Sequence, residues 1–181
     1  MRDDTGRISF AQLNSRSNQI ANALAGLGVV AADRVAFLAK NTARYFEVLF
    51  AANKLGAALL PLNWRLAAPE IEEILADAKP RVLIADREYL DLAKDLATSS
   101  GGNLRVIGFD SARTGTDELD TLTRAAPTED PAVDVNPLAH GHPDVHLGHD
   151  RPAQGCAVVP PGLPLSAALR ASRAVLRLYL R

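Results

Sequence analysis

Two spacings of apolar residues alternate along most of this chain. Four short apolar runs are bounded by polar residues or glycine, namely residues 35–39, 57–62, 82–85 and 104–108. Such runs are typical of strands buried on both faces of a parallel sheet. Between them, apolar residues recur every three or four positions, which is the spacing of one helix face. From residue 7 to residue 110 the pattern predicts an α/β fold with a doubly wound, mostly parallel sheet and helices on both faces.

Capping residues mark the ends of the predicted helices. Ser9 and Gln12 have capping-box spacing ahead of a helix over residues 10–27, whose expected inner face is Phe10, Leu13, Ile20, Leu24 and Leu27. Gly28 is expected to end this helix. Further helices are predicted over residues 43–55, from Pro69 to the Lys79-Pro80 break, over 89–98 and over 116–126. The domain organisation follows: an α/β subdomain over 1–126, a linker over 127–137 and an irregular tail over 138–181.

The segment 59–66 is interpreted as a buried strand that runs into a polar elbow. The elbow residues are Pro61, Asn63, Trp64 and Arg65. Ligands bind open α/β sheets at the carboxyl ends of strands, so Asn63 and Arg65 could contact substrate or a neighbouring domain. The structural interpretation is preferred: Asn63 fixes the elbow, Arg65 forms a salt bridge with a helix, and Trp64 packs as an anchor.

Length, charge and composition exclude several classes of protein. A length of 181 residues allows one domain, or one domain with a tail, and a net charge of −1 gives no electrostatic reason to expect a nucleic-acid partner. The single cysteine, Cys156, excludes an internal disulfide framework. No apolar run approaches the roughly 18 residues of a transmembrane segment. The N-terminus has no signal-peptide pattern, so the expected location is cytoplasmic.

Residues 8–137 resemble the N-terminal region of AMP-forming acyl-CoA synthetases, within the adenylate-forming superfamily. The resemblance rests on several segments in the same order: residues 8–13, 34–36, 41–46, Gly56-Ala57, the run Pro61-Leu62-Asn63-Trp64-Arg65-Leu66, and Glu70-Ile71. It implies a carboxylic acid (fatty acid):CoA ligase that forms an acyl-adenylate. ATP, Mg²⁺ and coenzyme A are the cofactors implied for the family.

The phosphate loop of that family, of the form YTSGTTGxPKG, is expected soon after the linker. The corresponding positions carry Gly148, His149, Asp150, Arg151 and Gly155, with no lysine. Backbone N–H groups of the glycines and the lysine charge are what such a loop offers to phosphate. We therefore predict no catalytic residue, no intact cofactor-binding site and no cofactor for this chain, and a truncated protein that is inactive alone.

A frameshift near residues 136–141 would explain the missing loop. A GC-rich coding of SGTTGRPKG, read after its first two bases are dropped, translates as residues 148–155. Residues 138–181 also contain no Lys, Glu, Ile, Phe, Thr or Asn, and their charge is +3 against −4 for the preceding part. The tail is accordingly interpreted as out-of-frame translation.

Two alternative functions remain open from the sequence. The first is a catalytically silent interaction module that self-associates through an uncovered apolar face. The second is a metal-binding tail, because His140, His142, His146 and His149 lie within ten residues and Cys156 follows. No metal site is the preferred interpretation, since Pro143 interrupts the segment and no recognisable ligand spacing is complete.

Overall fold

Strands and helices alternate in this computed structural model, which describes residues 2–3, 6–110 and 118–133. In chain order the elements are an antiparallel pair of β1 (Arg2–Asp3) and β2 (Gly6–Arg7), then α1 (Phe10–Gly26), β3 (Arg34–Leu38), α2 (Ala43–Lys54), β4 (Ala58–Leu62), α3 (Ala68–Ala78), β5 (Val82–Asp86), a 3₁₀ turn (Arg87–Tyr89), α4 (Leu90–Ser99), β6 (Arg105–Phe109) and α5 (Glu118–Arg124). The predicted tail, residues 138–181, lies outside the described residues.

The main sheet has four parallel strands in the order β4-β3-β5-β6. The chain passes from β3 outward to β4, then returns to form β5 on the other side of β3. Phe37 of β3 is therefore in register with Pro61 of β4 and with Ile84 of β5. This reversal is the arrangement of a doubly wound sheet, and the predicted fold class is confirmed.

Each face of the sheet is buried beneath helices. One core cluster combines Val35 and Phe37 of β3 with buried residues of α1 and α2 and with Leu119 of α5. The other combines Ala36 and Leu38 with buried residues of α3 and α4. Because successive side chains of a strand point to opposite faces, one five-residue strand contributes to both cores. Full burial of a leucine or isoleucine contributes about 1.5–3 kcal/mol each, so these two clusters hold the helices on the sheet.

The starts of α1 and α2 agree with their predictions because their capping residues are local signals. Ser9 Oγ accepts a hydrogen bond from Gln12 N at 3.2 Å, and Gln12 Oε1 accepts one from Ser9 N at 2.9 Å. These two bonds form the predicted capping box. Thr42 caps α2 by accepting from Arg44 N at 3.4 Å. At the end of α1, Gly28 adopts φ +82°, a left-handed conformation that glycine tolerates without steric cost.

Phe10 departs from the sequence prediction. It was expected on the inner face of the first helix, yet it is 61% exposed. Helical side chains tilt toward the N-terminus, so that of the first residue projects past the helix end. The buried stripe of α1 starts at Leu13 instead.

Several helix boundaries also differ from their predictions, by one or two residues. The helix predicted over residues 89–98 starts at Leu90, after a 3₁₀ turn that Asp86 caps. α5 covers Glu118–Arg124 of the helix predicted over 116–126. In the described residues, no helix is long and apolar enough to cross a membrane.

Lys79 at the end of α3 provides a test of this backbone geometry. It adopts φ 46° and ψ 56°, a left-handed conformation that costs a residue with a Cβ about 1–2 kcal/mol. We expect Lys79→Gly to stabilise the protein by roughly 0.5–1 kcal/mol, measured by urea unfolding. The matched control is Lys94→Gly in the interior of α4, which should destabilise by about 1 kcal/mol. Equal signs for the two variants would contradict the assigned geometry.

Candidate functional site

The elbow follows directly from β4 and lies at the carboxyl edge of the sheet. β3 and β5, which end at Leu38 and Asp86, run parallel to β4 and end at the same edge. The strand order reverses at β3, so the topological switch point lies at this edge, between β3 and β5. Open α/β sheets bind ligands at such a point. The predicted elbow residues are therefore placed where a ligand or a neighbouring domain has access.

A short turn gives the elbow its shape. Asn63 Oδ1 accepts a hydrogen bond from Arg65 N at 3.1 Å, and Asn63 O accepts one from Leu66 N at 3.1 Å. The side chain of Asn63 thus replaces a backbone partner, as asparagine commonly does in turns. Pro61 precedes the turn on β4, an edge strand of the sheet, where a residue without an N–H is tolerated.

Trp64 is the centre of a cluster of cationic and aromatic side chains. The guanidinium carbon of Arg65 lies 4.3 Å from the ring centre of Trp64, and Lys40 Nζ lies 5.2 Å from it. The Tyr89 ring is 6.2 Å away at an interplanar angle of 40°. Cations at these distances are attracted to the indole face. Arg65 thus contacts Trp64, whereas a salt bridge from Arg65 to a helix was predicted.

Two ion pairs lie at the same edge of the sheet as Trp64 and Tyr89. Lys40 Nζ and Glu88 Oε1 are 2.7 Å apart, and Arg87 Nη1 and Asp110 Oδ2 are 3.7 Å apart. The hydrogen bond to Glu88 raises the pKa of Lys40 above its ordinary value of 10.5. Burial raises the pKa of the Tyr89 hydroxyl above its ordinary value of 10.0. With both pKa values raised, Lys40 and Tyr89 keep their protons at neutral pH, so neither is suited to proton transfer there.

A second charged cluster was not found by sequence reasoning. Glu47 on α2 is fully buried and accepts from Arg16 Nη1 at 3.2 Å and from Arg44 Nη1 at 3.3 Å. Arg44, only 4% exposed, also pairs with Asp120 of α5. The four side chains alternate in sign, so each buried charge lies beside an opposite one, as burial requires.

One sequence signal was available for this cluster. Arg44 and Glu47 are three residues apart in α2, and Val48 and Leu49, expected on the inner face of that helix, follow at once. This spacing places the two charges on one helix side. It does not reveal that α1 and α5 would cover them.

A cleft of about 260 Å³ opens beside this cluster, between α1, α2 and α5. It is lined by Arg16, Gln19, Ile20, Arg44, Asp120 and Thr123. The two arginines and the aspartate in its wall are joined in the ion pairs described above, and the buried Glu47 behind the wall balances their charge. This arrangement is better suited to joining three helices than to attracting a charged ligand.

The remaining predicted site residues lie outside the described part of the chain. They are the phosphate-loop positions Gly148, His149, Asp150, Arg151 and Gly155, and the alternative metal ligands His140, His142 and His146 together with His149. Within the described residues, no three His, Cys, Asp or Glu side chains are placed to hold a metal ion.

The prediction of self-association also remains a prediction. Both faces of the main sheet carry helices, and the large apolar side chains that are exposed in the described ranges are Phe10, Val30 and Val133.

Comparison with known proteins identifies the family. The sequence model of the family described as AMP-binding enzyme matches residues 1–153. This chain belongs to the AMP-binding enzyme family. The fatty acid–[acyl-carrier-protein] ligase ScoC of Streptomyces coeruleorubidus is 36% identical over 114 residues, which cover 63% of this chain and 22% of ScoC. The long-chain-fatty-acid–CoA ligase FadD13 of Mycobacterium tuberculosis is 35% identical over 131 residues, covering 71% of this chain and 25% of FadD13.

Solved structures of this family agree with the predicted resemblance. The crystal structure of the N-terminal domain of FACL13 from Mycobacterium tuberculosis matches with a TM-score of 0.63 and 33% identity, covering 71% of this chain and 32% of that domain. The resemblance to the N-terminal part of acyl-CoA ligases is therefore confirmed. The chain spans about a quarter of the length of the curated relatives named above.

The buried charge cluster gives the first prediction for this region. Glu47→Gln keeps the shape of the side chain but removes the negative charge between Arg16 and Arg44. Breaking a buried ion pair from one side is strongly destabilising, so we expect a loss of about 3 kcal/mol in the free energy of unfolding, measured with urea. Glu72→Gln on the exposed side of α3 is the matched control, with an expected change below about 0.5 kcal/mol. Similar values for both variants would show that Glu47 is not held in this cluster.

The elbow gives a prediction about pH. Glu88→Gln should lower the pKa of Lys40 toward 10.5, as followed by the ¹³Cε chemical shift of Lys40 in an NMR titration. A lysine whose folded-state pKa exceeds its unfolded value stabilises the fold below the unfolded value. The contribution of the pair is therefore complete at neutral pH and is lost as the pH rises through the folded-state pKa, above 10.5. In Glu72→Gln the Lys40 titration should be unchanged, and an unchanged titration in Glu88→Gln would disprove the pairing.

Proposed function

We propose that residues 1–126 are the N-terminal subdomain of an AMP-forming acid–thiol ligase. Such an enzyme couples a carboxylic acid to ATP, forms an acyl-adenylate and pyrophosphate, and transfers the acyl group to coenzyme A. ATP, Mg²⁺ and coenzyme A are the cofactors proposed for the whole enzyme. The observation that carries the proposal is the doubly wound sheet, which matches the N-terminal domain of FACL13 at 33% identity. We propose fatty acids as the substrate class, because ScoC and FadD13 are both named as fatty-acid ligases.

The elbow is proposed as a structural element of this subdomain. The side chain of Asn63 accepts a hydrogen bond within the turn, and the side chain of Arg65 contacts the Trp64 ring. A neighbouring part of the enzyme could pack on this edge without disturbing either contact. This supports a role in joining the subdomain to the rest of the protein, for which we propose a cytoplasmic location.

The polypeptide of 181 residues is proposed to be inactive by itself. Binding of the ATP phosphates requires backbone N–H groups and a positive side chain close to the phosphate oxygens. The phosphate-loop positions 148–155 contain no lysine and include Asp150, whose charge would repel phosphate. These positions overlap the end of the segment that matches the family. A shifted reading frame in residues 138–181 is the proposed cause.

The test is an assay of acid-dependent pyrophosphate release. The purified chain is incubated with ATP, Mg²⁺, coenzyme A and a panel of fatty and aromatic carboxylic acids. We expect no release above the level without acid. Turnover with any acid would disprove the proposed inactivity while supporting the proposed reaction.

A frame-restored protein is the matched control. The encoding DNA from codon 130 onward is sequenced and translated in all frames, and we expect a phosphate loop of the form SGTTG in another frame. The protein made from that restored frame should release pyrophosphate with a fatty acid. If no such frame exists, the tail is genuine protein, the frameshift proposal is wrong, and the four histidines become the first site to examine.

A further inference from the structure

The segment Pro127–Val133 lies beyond the end of α5 and is held against two helices. We name this segment the strap. It belongs to the segment 127–137 that is predicted as a linker, and it contains no helix or strand. Asn18 Nδ2 on α1 donates to Thr128 O at 2.7 Å. Asn22 Nδ2 donates to Pro127 O at 3.1 Å and to Glu129 O at 3.0 Å. Three consecutive carbonyl groups of the strap are thus bound by one helix.

The two asparagines are suited to this task by their spacing. Asn18 and Asn22 are four residues apart, so they lie one above the other on the same face of α1. Asparagine is unfavourable in a helix interior, where its amide competes for backbone partners. Asn18 is also only 4% exposed, and a buried amide requires a hydrogen-bond partner. Contacts with the strap account for the Nδ2 groups of both residues, while Oδ1 of Asn18 is buried without a hydrogen-bond partner.

A separate contact from α2 holds the middle of the strap. Lys54 Nζ lies 2.7 Å from Asp130 Oδ2, and Asp130 Oδ1 accepts a hydrogen bond from Ala132 N at 3.2 Å. Both carboxylate oxygens of Asp130 therefore have a partner. The hydrogen bond from Lys54 holds the pKa of Asp130 below its ordinary value of 3.8.

The backbone of the strap shows that these contacts impose a conformation. Ala132 has φ 50°, in the left-handed region that a Cβ disfavours. A residue keeps such a conformation only where its surroundings fix it. The amide of Ala132 is the group that Asp130 binds, so the ion pair with Lys54 and the strained residue belong to one unit.

We propose that the strap is a latch that can open without unfolding the sheet. Asn18, Asn22 and Lys54 hold it closed. α5, which precedes the strap, has its own anchor in the pair of Arg44 with Asp120. Release of the strap therefore leaves the helix layer intact. This proposal concerns the described residues alone and does not depend on the proposed enzymatic activity.

The test is ¹⁵N relaxation of the full chain, comparing the unmodified protein with the double variant Asn22→Ala/Lys54→Met. Neither substitution alters the buried Asn18, alanine favours the helix, and methionine keeps most of the lysine stem. We expect backbone order parameters at residues 129, 130, 132 and 133 to fall from about 0.85 to below about 0.6, because Asn18 still holds Thr128. Order parameters in β3 and β5 should stay unchanged.

The matched control is Asn14→Ala, which makes the same substitution on α1 one turn before Asn18. Asn14 forms no hydrogen bond with the strap, so the strap should keep its order in this variant. The latch is disproved if the strap is as ordered in the double variant as in the unmodified protein. It is equally disproved if order parameters in the unmodified strap are already below about 0.6, or if order falls throughout the sheet.

Discussion

Strand β3 is covered on every side, and the rest of the structure depends on that constraint. It pairs with β4 on one edge and with β5 on the other, and its four residues from Val35 to Leu38 are all buried. A strand in this position satisfies its backbone hydrogen bonds through neighbours on both edges. Both neighbours of β3 are parallel to it, and parallel neighbours require long crossovers. The helices supply those crossovers, and they cover the two faces in doing so. The carboxyl edge with its elbow is a consequence of the same arrangement.

The charged side chains at the carboxyl edge of the sheet differ in exposure from those between α1, α2 and α5. At the carboxyl edge, the ion pair of Lys40 with Glu88 is exposed, and such pairs contribute little to stability because water and salt screen them. Between α1, α2 and α5, Glu47 and Arg44 are removed from water, so each depends on its partner. The exposed edge remains available for contact with other groups, while the buried cluster specifies how three helices meet. The strap continues from the last of these helices, and α1 contributes to both the cluster and the latch.

Family membership and the individual sites rest on different kinds of observation. The family follows from a match over residues 1–153, which includes an ordered series of matching segments from residue 8 to Ile71. The individual sites rest on contacts between side chains: at the elbow, Lys40 and Arg65 lie beside the Trp64 ring, and Lys40 pairs with Glu88.

The sequence by itself determined the element types, the fold class and the position of the elbow, because each depends on local signals. Apolar runs mark β3 to β6, Ser9 with Gln12 marks the start of α1, and Asn63 forms its turn with residues two and three positions away. The tertiary structure decided the contacts between distant residues. Glu47 meets Arg16 across 31 positions, and Asn22 meets Glu129 across 107. No spacing pattern encodes such partners, because they are chosen by the packing of helices on the sheet. Phe10 shows the opposite error. Its spacing fits the inner face of α1, but the core does not extend to the first residue of that helix, so Phe10 is exposed.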